Sequence, residues 1–173
     1  MKKAFFSAFA ALMLLLVTAC TSKTEKTSET ISEQNYEEFE VGYKKEGSFK
    51  ISNLDLVKKE WENRLQSDGR AISLKNFRIV EGTTAGDSAQ LYYILVANSA
   101  DGKIKTASLL NLKDTVFYFE TYRDQDNSTF YSNIICEGDC TEGCDPIVTI
   151  SNGKRYLNCS QCPNCLKNEG EIR

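Results

Sequence analysis

The feature that most limits what this chain can fold into is a run of six cysteines within residues 136–173. They fall into two triads, Cys136-x3-Cys140-x3-Cys144 and Cys159-x2-Cys162-x2-Cys165. Between the triads, Ile147 to Leu157 carries Asn152-Gly153 flanked by β-formers, the strongest short-range hairpin signal. A two-residue loop there sets Ser151 opposite Lys154, Val148 opposite Leu157 and Pro146 opposite Cys159. That register folds the triads against each other, and a disulfide needs its two Cα atoms within about 4.4–6.8 Å. Among the pairings open to six cysteines, the geometry favours bridges between the triads, roughly nested, with Cys144 joined to Cys159 or Cys162.

The seventh cysteine, Cys20, stands at the end of a different pattern. Lys2-Lys3 precede an apolar run from Ala4 to Val17, and Thr18-Ala19 follow it. A basic start, a short apolar core and a small-residue cleavage site read as a secretory signal over residues 1–19. The apolar run is too short for a comfortable membrane span, and an uncleaved anchor is the alternative. Val17-Thr18-Ala19-Cys20 resembles the lipobox of bacterial lipoproteins, in which the cysteine thiol is diacylated and the chain is cut just before it. The resemblance covers residues 1–20 and implies that Cys20 becomes the lipidated first residue of the mature chain. A palmitate-type acyl and diacylglycerol group on Cys20 would then hold the protein to a membrane, at about 0.8 kcal/mol per buried methylene. The alternative is a cysteine standing near an ordinary cleavage site by chance. Cleavage also removes Lys2 and Lys3 and takes the formal charge from −3 to −5. Anionic headgroups repel such a chain, so lipid and not charge does the holding.

Secretion bears on the chemistry of the triads. Paired cysteines persist in an oxidising compartment, the number is even, and bridges stabilise an appendage that has few apolar residues of its own. Cys136, Cys140, Cys144, Cys159, Cys162 and Cys165 are therefore read as three disulfides. Four-cysteine zinc, built from Cys140, Cys144, Cys159 and Cys162, is a competing reading. An iron–sulfur cluster lacks its fourth cysteine, because residues 167–173 contain none. Cys162-Pro163-Asn164-Cys165 and Cys159-Ser160-Gln161-Cys162 are Cys-x-x-Cys motifs, but a thioredoxin-type thiol sits before a helix within a βαβ unit, and neither is present in the pattern. The chain has no histidine, which excludes Ser-His-Asp and Cys-His catalysis and His-ligated metal or haem. The near-neutral charge argues against electrostatic binding of nucleic acid. Asp124-x-Asp126-x-Ser128 begins like a calcium loop and then fails at its sixth and twelfth positions, Thr129 and Ile135. Glu137, Asp139, Glu142 and Asp145 interleave with the first triad and read as solvated charges on a loop. Neither a catalytic residue nor a metal ligand is assigned, and no cofactor beyond the lipid is expected.

The remaining chain divides into a tether and a body. Residues 20–35 hold Ile31 as their one strongly apolar side chain and bury too little surface to offset ordering entropy. Tyr36, Phe39, Val41, Tyr43 and Phe49 predict one or two short strands. Ser52 as N-cap with Asp55 predicts a helix start. Leu54, Val57, Trp61 and Leu65 form its apolar face, which makes Trp61 a core residue, and Gly69 stops it. Asp55/Lys59, Lys58/Glu62 and Glu60/Arg64 are expected to pair along the outer side. Strands follow at 74–80, 91–98, 103–110, 115–122 and 129–135, with Asp101-Gly102 turning one hairpin. The segment 91–98 is apolar on both faces and so central. The whole predicts an α+β fold: residues 36–135 place one helix on an antiparallel β-meander, similar in topology to cystatin-like folds, and residues 136–173 add a disulfide-stapled hairpin. The topology carries no function.

Lipobox, polar tether, α+β body and cysteine-rich end together resemble small Bacteroidota-type lipoproteins. The local resemblance is Cys140-Thr141-Glu142-Gly143-Cys144-Asp145-Pro146, the Asn-Gly hairpin, and Cys159-Ser160-x-Cys162. It implies a place in the bacterial cell envelope, on the inner or outer membrane, and no activity. The expectation is a non-enzymatic binding domain whose partner is an envelope or extracellular protein or a glycan. The competing functions are thiol–disulfide or soft-metal chemistry at the triads and a structural role in an envelope assembly.

Overall fold

The computed structural model describes residues 35–84, 89–140 and 143–173. The signal segment, Cys20 and the tether through residue 34 lie outside the described residues, as do 85–88 and 141–142, which include Glu142. Among the described residues there are eleven strands and one helix. In chain order they are β1 (Glu40–Lys45), β2 (Ser48–Ile51), α1 (Leu54–Ser67), β3 (Leu74–Thr83), β4 (Leu91–Ser99) and β5 (Ile104–Lys113). Then come β6 (Val116–Phe119), β7 (Thr121–Arg123), β8 (Thr129–Glu137), β9 (Pro146–Ser151), β10 (Lys154–Cys159) and β11 (Leu166–Ile172).

All strand pairs are antiparallel, and nine strands form one sheet. Strand β5 is its axis. One side of β5 carries β4 and then β3. Its other side is shared end to end by β8, along Ile104–Ala107, and β6, along Leu110–Lys113. The segment expected as one strand over 115–122 is broken at Glu120, because β6 pairs with β5 and β1 while β7 pairs with β8. Strands β9 and β10 pair only with each other.

The fold has three layers. Helix α1 lies on one face of the sheet and buries Val57, Trp61 and Leu65, each worth about 1.5–3 kcal/mol by area removed from water. Beneath it are Leu95, Ala97, Ile104, Leu110, Phe117, Tyr131 and Ile135. The β9–β10 hairpin covers the opposite face, where Val148 and Leu157 meet Ile94, Val96, Ala107, Leu109 and Ile134. Alternate residues of β4 thus serve two cores, which is why its sequence is apolar at both parities.

The helix closes as its sequence requires. Gly69 N–H donates to the Gln66 carbonyl at 2.9 Å and Arg70 N–H to the Leu65 carbonyl at 2.8 Å, the paired bonds of a Schellman ending. Its start differs from expectation. Asn53, not Ser52, is the N-cap, and it makes no side-chain capping bond. Both residues are drawn to Glu40 instead: Ser52 Oγ donates to its carboxylate, and Asn53 Nδ2 donates to its carbonyl at 2.8 Å. The helix start is therefore fixed by β1.

Candidate functional site

The Asn-Gly turn forms as read, with Asn152 at φ 50° and Gly153 at φ 73°. Its register sets Ser151 against Lys154, Val148 against Leu157 and Pro146 against Cys159. All six cysteines are in bridges, each joining one triad to the other: Cys136–Cys159, Cys140–Cys162 and Cys144–Cys165, with Cα separations of 5.7, 6.3 and 5.4 Å. The order corrects the nested expectation, since Cys144 joins neither Cys159 nor Cys162. The ladder runs only to Pro146 and Cys159. Beyond it Gly143, at φ 84°, leads the first triad away. A turn in which Cys165 N–H donates to the Cys162 carbonyl at 3.1 Å reverses the second. The two triads then run side by side in the same sense, and the bridges form first to first, second to second, third to third. The two cysteines of Cys162-Pro163-Asn164-Cys165 consequently belong to different bridges.

The chain then does something its sequence conceals. Leu166–Ile172 returns to the main sheet as β11 and pairs with Tyr131–Glu137 of β8. The boundary at 135/136 is one of composition, because the last strand is hydrogen-bonded to the body. Two of the acidic residues around the first triad, Glu137 and Asp145, hold this end down. Glu137 accepts from Arg70 Nη2 at 3.0 Å, and Asp145 accepts from Lys105 Nζ at 2.5 Å. The Asp124 loop is closed by Ser128 N–H donating to Asp124 Oδ1 at 2.9 Å, and its other carboxylate oxygen takes Arg173.

Stapling the hairpin to one face of the sheet leaves an open cleft of about 820 Å³ between them. Its floor comes from β7 and β8, with Leu109 of β5, Glu120 and Glu169 of β11 beside them, and its wall from β10. Tyr122 and Phe130 lie face by face, ring centroids 5.8 Å apart, because they are opposed in the β7–β8 ladder. Tyr156 stands on the wall with 44% of its surface exposed, and Tyr122 keeps 36%. Glu120, at the break between β6 and β7, anchors the wall to the floor. Its side chain is 15% exposed, and it accepts from Arg155 of β10 and from the Tyr122 hydroxyl at 2.8 Å. Arg155 also donates to Asn111 Oδ1 at 3.0 Å. Burial and the adjacent Glu120 carboxylate push the Tyr122 phenol well above its ordinary value, so it is a neutral donor. Two other pairs stand at the rim, Arg123 with Glu37 at 2.9 Å and Glu169 with Lys167 at 2.9 Å, while the exposed Lys154 has no ion pair among the described residues.

A second concavity, of about 490 Å³, lies between α1 and β11. Here the sequence reading is corrected again. Glu60 and Arg64 do not bond each other on the outer side; both turn inward. Glu60 accepts from the hydroxyls of Tyr36 and Tyr131, each at 2.9 Å. Arg64 donates to Asn133 Oδ1 at 2.5 Å and to the Asn133 carbonyl. The buried Asn133 in turn donates to Ser108 Oγ at 3.1 Å and accepts from Thr106 Oγ1 at 3.0 Å. Burial raises the Glu60 carboxyl above its usual range and lowers the Arg64 guanidinium. Lys58 and Glu62 pair as expected, 3.8 Å apart. Trp61 is core, 1% exposed, with its indole N–H on the Tyr131 hydroxyl at 3.2 Å.

No family model, no curated protein and no solved structure matches this chain.

Proposed function

We propose that this chain is a lipid-anchored extracytoplasmic protein of the bacterial envelope, held by Cys20, whose body is a non-enzymatic binding module. The observation that carries the reading is the cleft beside the hairpin, walled by a layer that three disulfides and the Arg155–Glu120 pair tie to the sheet. A rigid concave surface with exposed aromatic rings and few convergent polar groups is the form that recognition sites take. Rigidity lowers the ordering cost of binding.

Two measurements test the two halves. The intact mass of protein extracted from envelopes should show residues 1–19 removed and a diacylglycerol adduct, and Cys20→Ser should move the protein to the soluble fraction. Unchanged fractionation overturns the anchor. A photo-crosslinking residue placed at Tyr156 in intact cells should give adducts that the same residue at Tyr43, exposed on β1, does not give. Equal or absent adducts overturn the binding module.

A second reading uses the sulfurs. The Sγ atoms of Cys144, Cys159 and Cys165 lie within 4.8 Å of one another, a spacing that suits a soft metal or thiol exchange once bridges are reduced. As bridged, those sulfurs are not thiolate ligands. Counting free thiols by alkylation, with metal content measured alongside, separates the readings: free thiols or bound zinc on the native protein favours the second.

A further inference from the structure

We infer that the cleft beside the hairpin is a subsite for a neutral oligosaccharide, an assignment that rests on the binding-module reading above. Three observations converge. First, the apolar surface is aromatic and ring-shaped. Tyr122 and Phe130 give adjacent rings on the floor, tilted 32° to each other, with Arg173 over one face of Phe130 at 5.1 Å, and Tyr156 gives a third ring on the wall. The C–H face of a pyranose carries weak positive charge and packs on the negative face of an aromatic ring. Second, the charges are matched before any ligand arrives, except for Lys154, exposed beside the hairpin turn and without an ion pair among the described residues. Glu120 holds Arg155, Glu37 holds Arg123 and Lys167 holds Glu169. A cationic or multiply anionic ligand would have to break one of these pairs, whereas a hydroxyl can donate to an engaged carboxylate oxygen or accept from a guanidinium without displacing it. Third, the cleft is open rather than enclosed, and its lining includes the Ser132 hydroxyl and the Glu120 carboxylate. A purely apolar ligand would leave the Ser132 hydroxyl desolvated and unpaired. A chain of hydroxyl-bearing rings satisfies it while covering the aromatic faces.

The competing occupant of an aromatic-lined groove is a polyproline segment, and the test includes it. Full-length protein, solubilised in a detergent without a sugar headgroup, is titrated calorimetrically with cellohexaose, maltohexaose, laminarihexaose, mannohexaose and decaproline. At least one hexasaccharide should saturate, with an affinity that barely changes between low and high salt because no net charge is exchanged. Tyr156→Ala should weaken it about ten-fold through the lost ring face. Tyr156→Phe should restore it, and Tyr43→Ala should leave it unchanged. Tyr156 is exposed, so its replacement leaves the fold intact, and the thermal midpoint checks this. Decaproline binding without sugar binding overturns the ligand class and leaves the binding module standing. Binding of none of the five overturns the subsite, and the crosslinks at Tyr156 then decide whether the module falls with it. Sugar binding that ignores Tyr156→Ala overturns the location.

Discussion

Glu60 is a carboxylate that the fold surrounds with phenols. Its two oxygens accept from Tyr36 and Tyr131, and the Tyr131 ring is itself fully buried, stacked 3.9 Å from Phe119. Burial raises the Glu60 carboxyl, and the two phenolic hydrogen bonds oppose the rise without cancelling it. The sign for stability follows. A group whose pKa is higher folded than unfolded binds its proton more tightly in the native state, so its ionisation disfavours the fold. The native advantage is whole below the unfolded value, about 4.3, and is lost as pH climbs through the raised native value. Glu60→Gln keeps a side chain that can still accept from one tyrosine and donate to the other, but has no proton to lose. Urea unfolding from pH 4 to pH 7 should therefore show the Gln variant gaining stability relative to the parent as pH rises. A difference that stays flat over that window would mean that Glu60 ionises as freely in the fold as out of it. The residue scale is also where the sequence misled most about α1. Glu60 and Arg64 are spaced for an i,i+4 pair, and only the positions of Tyr36, Tyr131 and Asn133, brought in from other elements, turn them inward.

At the scale of elements, what the sequence revealed depended on whether side chains or backbone do the work. Helix α1 and the β9–β10 hairpin were legible because each has a local cause: an apolar stripe with a glycine stop, and an Asn-Gly turn that fixes register. Strand β4 was legible as central because both its faces meet a core. Strand β11 was not, since Leu166-Lys-Asn-Glu-Gly-Glu-Ile172 pairs through its backbone at a sheet edge with most side chains exposed, and so reads as a polar tail. The cleft was illegible for a related reason. Tyr122 and Phe130 each look like strand residues, and only the docking of β10 over β7 and β8 makes them one surface. The bridges show the same division. Their existence followed from composition, while their order follows from where Gly143 and the 162–165 turn send the chain. Their loops are similar, with sequence separations of 23, 22 and 21, so chain entropy assigns each about 3 kcal/mol. Packing separates them. Cys136 is fully buried in the hairpin-side core, whereas Cys140 and Cys162 are half-buried. Replacing Cys136 and Cys159 by Ala should cost about 1–2 kcal/mol more than replacing Cys140 and Cys162, the excess being the cavity left in the core. Denaturant midpoints of the two double variants measure it, and equal losses would remove the packing contribution.

On the scale of the whole molecule, the sheet serves two cores of unequal independence. The helix-side core draws on β1, β3 to β6 and β8 together with α1, and reaches the last strand through Ile172. It contains no cysteine. The hairpin-side core includes Cys136 and Cys144 and has Cys159, Cys162 and Cys165 packed on it. Its outer wall is a two-stranded hairpin that pairs with no other strand. An isolated hairpin of this size is marginal in water, so this layer depends on its staples while the helix layer does not. Reduction should act on the two sides unequally. The three closed loops overlap in sequence, so their contributions of about 3 kcal/mol each combine to less than their sum. A loss of about 6 kcal/mol is a large part of the 5–15 kcal/mol that stabilises a typical domain, and it lowers the thermal midpoint by about 20 °C. Hydrogen exchange on the reduced protein below that midpoint should find the amides of β9 and β10 unprotected while those of α1 and β4 remain slow, because only the outer layer has lost what ties it down. Simultaneous loss of protection in β4 and β10 would mean instead that the two cores unfold as one unit. The cleft should disappear with the hairpin, so adduct formation from Tyr156 should fall in reductant at temperatures where α1 is still protected, which links the staples to recognition.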